Sequence, residues 1–295
     1  MYNIFEIMGI KEGNLMSEAF IKKYATVIYF TLAFIISWVS AALIAGPLDI
    51  INIRNVATEK ELPLVIVAMV IGPTVAGLIS TWLADKKEGF KNLLIRLRRW
   101  KIGGCWYLAL LIAPLTLAAA DLLLSLFSRS FIPTIFTMND KMSFLGFTLF
   151  GALVGGFFEE IGWTGFAIPR MLKRLNVFKT GLFLGLIWGA WHFLVNFWGS
   201  ANSAGVVPLA LFLFVALFSF LLPYRILMVW VYDHTKSLLI SILMHCSLII
   251  FWLILAPTAG DGLSKVIWFS TWAVILWGTV ITVNNLTKGG LLRKS

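Results

Sequence analysis

Charged residues are scarce in this sequence. Asp, Glu, Lys and Arg make up 13% of its 295 residues, about half the share that is usual in a soluble domain. This scarcity excludes a soluble globular enzyme and an intrinsically disordered chain. The net charge of +10 does not indicate nucleic-acid binding, because no basic stretch is interleaved with base-stacking aromatics on a soluble module.

Cysteine is scarce as well. The two cysteines, Cys105 and Cys246, lie far apart in or beside apolar segments. A scaffold held by disulfides is therefore excluded, and the cysteine spacing that is typical of metal sites is absent.

Hydrophobic residues, in contrast, make up 60% of the chain. A bilayer core needs about 20 consecutive apolar residues in a helix. The uncharged run from 180 to 224 is too long for one span, and the polar segment 199–205 divides it. The sequence then contains eight candidate spans, at about 24–45, 62–84, 106–127, 142–159, 180–198, 206–224, 237–255 and 266–286. We expect an all-α, polytopic membrane protein, with a bundle of about eight transmembrane helices in one membrane domain over residues 1–295.

The basic residues predict the orientation of these spans. With an even number of spans, both termini share one side of the membrane. The tails and loops on that side hold 19 of the 24 Lys and Arg residues, which predicts that both termini are cytoplasmic. We expect the plasma membrane as the location.

The segment 86–101 alternates basic and apolar residues. This pattern predicts a segment along the inner membrane surface that is attracted to anionic lipid. The alternative is a simple positive-inside anchor without a further role.

Ionisable residues within a span are costly and are functional candidates for that reason. The adjacent pair Glu159 and Glu160 lies at the end of the fourth span. Neighbouring residues in a helix point about 100° apart, so one carboxylate can face a cavity while a structural partner holds the other. The alternative is a pair of acids that ends the helix at the inner interface.

Two histidines lie in other spans. His192 follows Trp188 by four residues and precedes Asn196 by four, so all three share one helical face. His245 lies in the seventh span, one turn after Ser241. A carboxylate and an imidazole can together deprotonate a water, and a second imidazole can donate to an oxyanion. The same side chains could instead bind one divalent metal such as zinc, or relay protons in a transporter.

The order of these residues resembles a family pattern of three motifs. The pattern reads Glu-Glu-x-x-x-Arg, then aromatic-x-x-x-His, then His-x-x-x-Asn; here the corresponding segments are Glu159 to Thr164, Trp188 to His192 and His245 to Ile249. In this respect the chain resembles the CAAX protease and bacteriocin-processing family of intramembrane endopeptidases, which includes the type II CAAX prenyl endopeptidases. The motif-bearing core covers about 142–256.

The resemblance implies a role for each residue. Glu159 and His192 would activate water, His245 would support the oxyanion, and Glu160 would be structural. Two positions depart from the pattern. Thr164 replaces the arginine, so Glu160 is expected to be protonated or to pair with another cation, Arg170 or Arg225. Ile249 replaces the asparagine, and its substitute donor is expected among Asn196, Ser241 and Ser247.

These observations predict a hydrolase, namely an intramembrane endopeptidase without a cofactor. It would hydrolyse a peptide bond in a membrane-associated or lipidated substrate through a water activated by Glu and His. The alternative is a non-catalytic membrane scaffold or immunity-type protein that retains the protease fold, and the two departures favour it. A transporter is a weaker alternative, because the sequence has no repeated half.

Overall fold

The computed structural model describes residues 4–46, 61–198, 200, 207–258 and 261–293. Within these ranges the regular structure is helical. The α-helices, in chain order, are α1 (Ile4–Ala45), α2 (Leu62–Leu97), α3 (Ile112–Ser125), α4 (Thr134–Thr137), α5 (Lys141–Gly162), α6 (Ile168–Leu172), α7 (Val177–Trp191), α8 (Phe193–Trp198), α9 (Leu209–Phe218), α10 (Leu221–Thr235), α11 (Leu238–Ile254) and α12 (Gly262–Leu286). Two 3-10 segments (Gly104–Leu111 and Arg129–Phe131) and one π-helical turn (Trp163–Ala167) complete them.

The prediction of an all-α membrane fold is confirmed. Among the described residues, six helical stretches are long and apolar enough to span a bilayer: Ala19–Ala45, Pro63–Leu97, Gly104–Ser125, Lys141–Leu172, Leu209–Thr235 and Gly262–Leu286. Two shorter apolar helices, α7 and α11, complete a set that agrees with the expected count of about eight. The dividing segment 199–205, apart from Ser200, and the first loop, 47–60, lie outside the described residues.

Several helix boundaries differ from the sequence predictions. The second span does not end at 84 but continues in α2 to Leu97. The fourth span does not end at Glu159 but continues through the π-helical turn to Leu172. The sixth span does not end at 224; it continues through Arg225 to Thr235. The charge at 225 suggested a loop, but its guanidinium has a buried carboxylate partner, which removes most of the penalty for a charge in the span.

The fifth span is shorter than predicted. Helix α7 ends at Trp191, His192 caps it, and α8 begins at Phe193. His192 therefore lies at a helix end rather than within a continuous helix over 180–198. In α2, Pro73 lies inside the helix, and the non-helical dihedral angles lie at Lys86 (φ 54°, ψ −142°).

The packing order brings the motif-bearing helices together. Helix α2 packs between α1 and α5, α5 packs on α11, and α7 packs on α10, which also contacts α11 and α12. Glycines make the closest approaches possible: a Cβ on Gly156 would lie 2.6 Å from Cys246 Sγ, and one on Gly162 would lie 2.2 Å from the Pro73 carbonyl oxygen. Asp121 on α3 is buried and accepts a hydrogen bond of 2.6 Å from Trp268 on α12. A neighbouring helix therefore supplies a partner for this carboxylate.

Candidate active site

Both glutamates lie on the last turns of α5, and both are buried. The π-helical turn follows them directly. Such turns insert an extra residue into a helix and are frequent at functional sites. Glu159 and Glu160 therefore face different neighbours, as expected from the angle of about 100° between adjacent helical residues.

Glu160 is held by a network of ionic and polar partners. Arg225 Nη1 donates to both carboxylate oxygens, at 2.8 and 3.0 Å, and His245 Nδ1 lies 2.8 Å from Oε1. Thr164, one turn further on, donates its hydroxyl to Oε2. Thr164 follows Glu160 by four residues, a spacing that places two side chains on the same helical face, so the hydroxyl can reach the carboxylate.

Arg225 is one of the two cations that the sequence predicts as possible partners of Glu160. The other, Arg170, lies elsewhere and pairs with Asp85 while stacking on Phe166. The Arg225–Glu160 pair is fully buried. In a medium of low dielectric, removal of either partner leaves an uncompensated charge. Each side chain therefore compensates the buried charge of the other.

Glu159 has a much simpler environment. Among the described residues, its carboxylate accepts one hydrogen bond, from the Trp188 indole at 2.8 Å. The Trp188 ring also makes edge contacts with His192 and His245, each with 5.2 Å between ring centroids. The guanidinium of Arg225 lies 3.9 Å above the same ring. Trp188 therefore brings together Glu159, His192 and His245, the three residues that the resemblance singles out.

The hydrogen bonds of the two histidines restrict their protonation. His192 Nδ1 lies 2.8 Å from the Trp188 carbonyl oxygen. A carbonyl only accepts, so Nδ1 carries the hydrogen and Nε2 of the neutral ring has a free lone pair for a proton. His245 Nδ1 donates in the same way to Glu160. Its Nε2 can therefore donate only when the ring is an imidazolium.

The suggested replacements for the missing asparagine have backbone partners. Asn196 donates its amide to the His192 carbonyl at 3.0 Å, and Ser241 donates to the Ser237 carbonyl at 3.3 Å. Ser247 donates to the Leu110 carbonyl at 2.7 Å.

Ile249 lies beside the Glu159 carboxylate. A Cβ on Gly155 would be 2.9 Å from Ile249 Cδ1 and 4.0 Å from Glu159 Oε1. The departure from the family pattern thus places an apolar side chain next to the candidate catalytic carboxylate.

The sequence alone gives no site role to Tyr29, in the first span, and offers Arg225 only as one of two possible cations for Glu160. Arg225 follows Tyr224 and precedes the apolar run 226–231. A charge with apolar sequence on both sides could have identified it as a site residue. Tyr29 has no comparable signal, because it is one aromatic among many in the first span. In the described part of the chain, no group of three or more His, Cys, Asp or Glu side chains is placed to hold a metal ion.

Comparisons with known proteins match the part of the chain that carries these residues. The family model described as type II CAAX prenyl endopeptidase Rce1-like matches residues 141–251. CAAX prenyl protease 2 from Methanococcus maripaludis is 26% identical over 120 residues, which cover 40% of this chain and 39% of that relative. The chain thus matches about two fifths of the relative's length. The motif-bearing core of the chain, over residues 141–251, is thus similar to the Rce1-like type II CAAX prenyl endopeptidases.

Proposed function

We propose that the chain is an intramembrane endopeptidase that hydrolyses a peptide bond in a membrane-associated or lipidated substrate. The observation that carries this proposal is the position of Trp188, which contacts Glu159, His192 and His245. A carboxylate, a neutral imidazole and a second imidazole that meet on one buried ring have the chemistry of water activation beside an oxyanion donor.

The proposed reaction begins with water beside Glu159 and His192. The water oxygen forms a bond to the scissile carbonyl carbon while its proton passes to the Glu159–His192 pair, where His192 Nε2 has the free lone pair. The carbonyl oxygen becomes an oxyanion and accepts a hydrogen bond from His245. The carbon–nitrogen bond then breaks, and the amine leaves with the proton that the pair holds.

Glu160 has a positioning role in this mechanism. Its carboxylate accepts a hydrogen bond from His245 Nδ1 and so fixes the orientation of the imidazole ring. Arg225 and Thr164 hold the carboxylate in place. The charge and the donor geometry are thus arranged before the substrate binds, which is the main source of transition-state stabilisation in such sites.

The proposed substrate class rests on the similarity to known proteins. The matching family model is described as a CAAX prenyl endopeptidase and the matching relative as a CAAX prenyl protease, and a CAAX tail is a C-terminal tetrapeptide whose cysteine is prenylated. We propose that a prenylated tail or another membrane-anchored peptide is cleaved. Activity should require neither a cofactor nor a metal; loss of cleavage in a chelator and its return with zinc would overturn this part.

We also propose the orientation that the Lys and Arg distribution predicts, with both termini on the cytoplasmic side of the plasma membrane. The basic segment 86–101 would then contact anionic lipid on the same side. Reporter fusions at both termini test this orientation, and an external location of either terminus would contradict it.

The function is tested by cleavage of a farnesylated CAAX peptide and of an unmodified transmembrane peptide, in vesicles that contain the purified protein. Wild type should cleave at least one of them, and Glu159→Gln should be at least about 100-fold slower. Glu88→Gln is the matched control, because Glu88 is exposed on α2 and pairs with Lys91. Equal rates for wild type and Glu159→Gln would contradict the proposal.

One observation favours a second candidate, a non-catalytic membrane scaffold or immunity-type protein. Ile249 places a side chain without a donor beside Glu159. Binding of either peptide without cleavage, by wild type and Glu159→Gln alike, would support this candidate.

A further inference from the structure

Besides Nε and Nη2 of Arg225, three uncharged buried donors near the site have no acceptor among the described residues. They are the hydroxyl of Tyr29 and the indole N–H groups of Trp163 and Trp191. All three side chains are almost completely buried. An unpaired donor within a membrane span is unfavourable, because no water is available there to replace the missing acceptor. Three of them together indicate an acceptor that binds from outside the chain.

The three side chains form a continuous row. The ring centroids of Tyr29 and Trp163 are 5.5 Å apart, and those of Trp163 and Trp191 are 5.8 Å apart. The row ends at His192, whose ring lies 4.7 Å from that of Trp191. Residues from α1, the π-helical turn and α7 thus form one structure beside the proposed base.

The row also lies close to the carboxylates. A Cβ on Gly162 would be 2.5 Å from the Tyr29 hydroxyl oxygen, and Gly162 follows Glu159 by three residues on α5. The unpaired donors are therefore part of the site's surroundings and not a separate feature of the bundle.

The chemistry of the row selects its ligand. All three donors are neutral, the Arg225 cation is already paired with Glu160, and the Glu159 carboxylate lies nearby, so an anion is disfavoured and a neutral acceptor is favoured. The peptide carbonyl is the neutral acceptor that a protease substrate supplies. In an extended peptide, carbonyls on the same edge recur about every 6.6 Å, so one peptide offers several acceptors to a row of donors.

We infer that Tyr29, Trp163 and Trp191 bind backbone carbonyl groups of the substrate peptide beside His192. This inference rests on the proposed function and adds to it the side of the site on which the peptide lies. The Tyr29 hydroxyl is a binding group here and takes no part in proton transfer.

The test is Tyr29→Phe, which removes one oxygen atom. If the hydroxyl binds a substrate carbonyl, KM for the cleaved peptide should rise about fivefold to tenfold, with kcat within about twofold of wild type. The thermal midpoint should stay the same or rise, because a buried unpaired group has been removed. Tyr24→Phe is the matched control, because Tyr24 lies on the same helix and is 37% exposed; its KM should not change.

An unchanged KM in Tyr29→Phe would overturn the inference. A lower thermal midpoint with an unchanged KM would show instead that the hydroxyl binds a structural water.

Binding measurements separate failure of this inference from failure of the proposed function. The same labelled peptide is titrated into Glu159→Gln and into the double variant Glu159→Gln/Tyr29→Phe, and Kd should rise by the same fivefold to tenfold factor. If wild type cleaves no peptide, the proposed endopeptidase fails, while a weaker Kd in the double variant still supports a peptide-binding row. Equal Kd values, or no binding to either variant, would overturn the row as well.

Discussion

The adjacent carboxylates on the two faces of α5 have opposite environments. Glu160 faces α10 and α11 and is held by Arg225, His245 and Thr164. Glu159 faces α7 and, among the described residues, accepts one hydrogen bond from a neutral indole. A charge that is fully compensated in a membrane span stabilises the fold, whereas a charge that is left with one neutral donor is available for chemistry.

The environments of the two carboxylates are connected. Glu160 holds the ring of His245, and Trp188, which binds Glu159, lies under the guanidinium of Arg225. The structural network thus forms one wall of the candidate catalytic site. Changes on the Glu160 face should act first on stability, and changes on the Glu159 face first on cleavage.

The largest effect is expected for Arg225→Leu. Removal of one partner of a buried ion pair leaves the other charge uncompensated and typically costs about 3–5 kcal/mol. Thermal unfolding in detergent should show a large drop in the midpoint. The control is Lys91→Leu: its pair with Glu88 is exposed, so its loss should cost no more than about 1 kcal/mol. Similar losses in the two variants would contradict the structural role of the Glu160 face.

A smaller effect, on cleavage, is expected for Trp188→Phe. The variant keeps an aromatic ring but loses the N–H that binds Glu159. Hydrogen bonds to charged groups are worth about 1.5–3 kcal/mol, so the rate should fall roughly 10- to 100-fold. Trp82→Phe is the control, since Trp82 is half-exposed on α2. Cleavage at the wild-type rate by Trp188→Phe would show that the indole does not position Glu159.

Ile249→Asn should change the rate in the opposite direction. The new amide would stand beside Glu159, where the family pattern has its asparagine. A well-placed oxyanion donor is worth about 10²–10³ in rate; an added donor without a prearranged setting should give about tenfold. Ile250→Asn is the control, because its side chain points about 100° away. A fall in rate with Ile249→Asn, at unchanged stability, would contradict this placement.

The smallest effect is expected for Asn196→Ala. The amide binds the His192 carbonyl, so its loss should leave the cleavage rate within about threefold and lower stability by about 1 kcal/mol. Steady-state rates and thermal midpoints measure both quantities. A 100-fold loss of rate at unchanged stability would instead identify Asn196 as the oxyanion donor.

The sequence predicted the fold class and the motif-bearing residues because both depend on local patterns. Apolar runs long enough for a bilayer predicted the helices, and three short motifs predicted Glu159, His192 and His245. Boundaries at charged residues were wrong where tertiary partners compensate the charge. Arg225 shows this clearly: its carboxylate partner lies 65 positions away in the sequence, and spacing alone does not reveal such a contact.

Two further features depended on packing that a single sequence does not encode locally. The π-helical turn after Glu160 begins beside the close contact of Gly162 with Pro73 on α2. The row from Tyr29 to His192 joins α1 to α7 through aromatic contacts. In a chain with 24 Phe and 13 Trp, composition does not single out the aromatics that approach the site.

The most direct test of the central claim compares Glu159→Gln with Glu160→Gln in one preparation, with cleavage and thermal unfolding measured on both. The division between the two faces of α5 predicts that Glu159→Gln loses at least about 100-fold in cleavage while its thermal midpoint stays close to that of wild type. Glu160→Gln should lose stability by about 3–5 kcal/mol, because Arg225 is left without its counter-charge. Wild-type cleavage by Glu159→Gln, or wild-type stability of Glu160→Gln, would contradict the account.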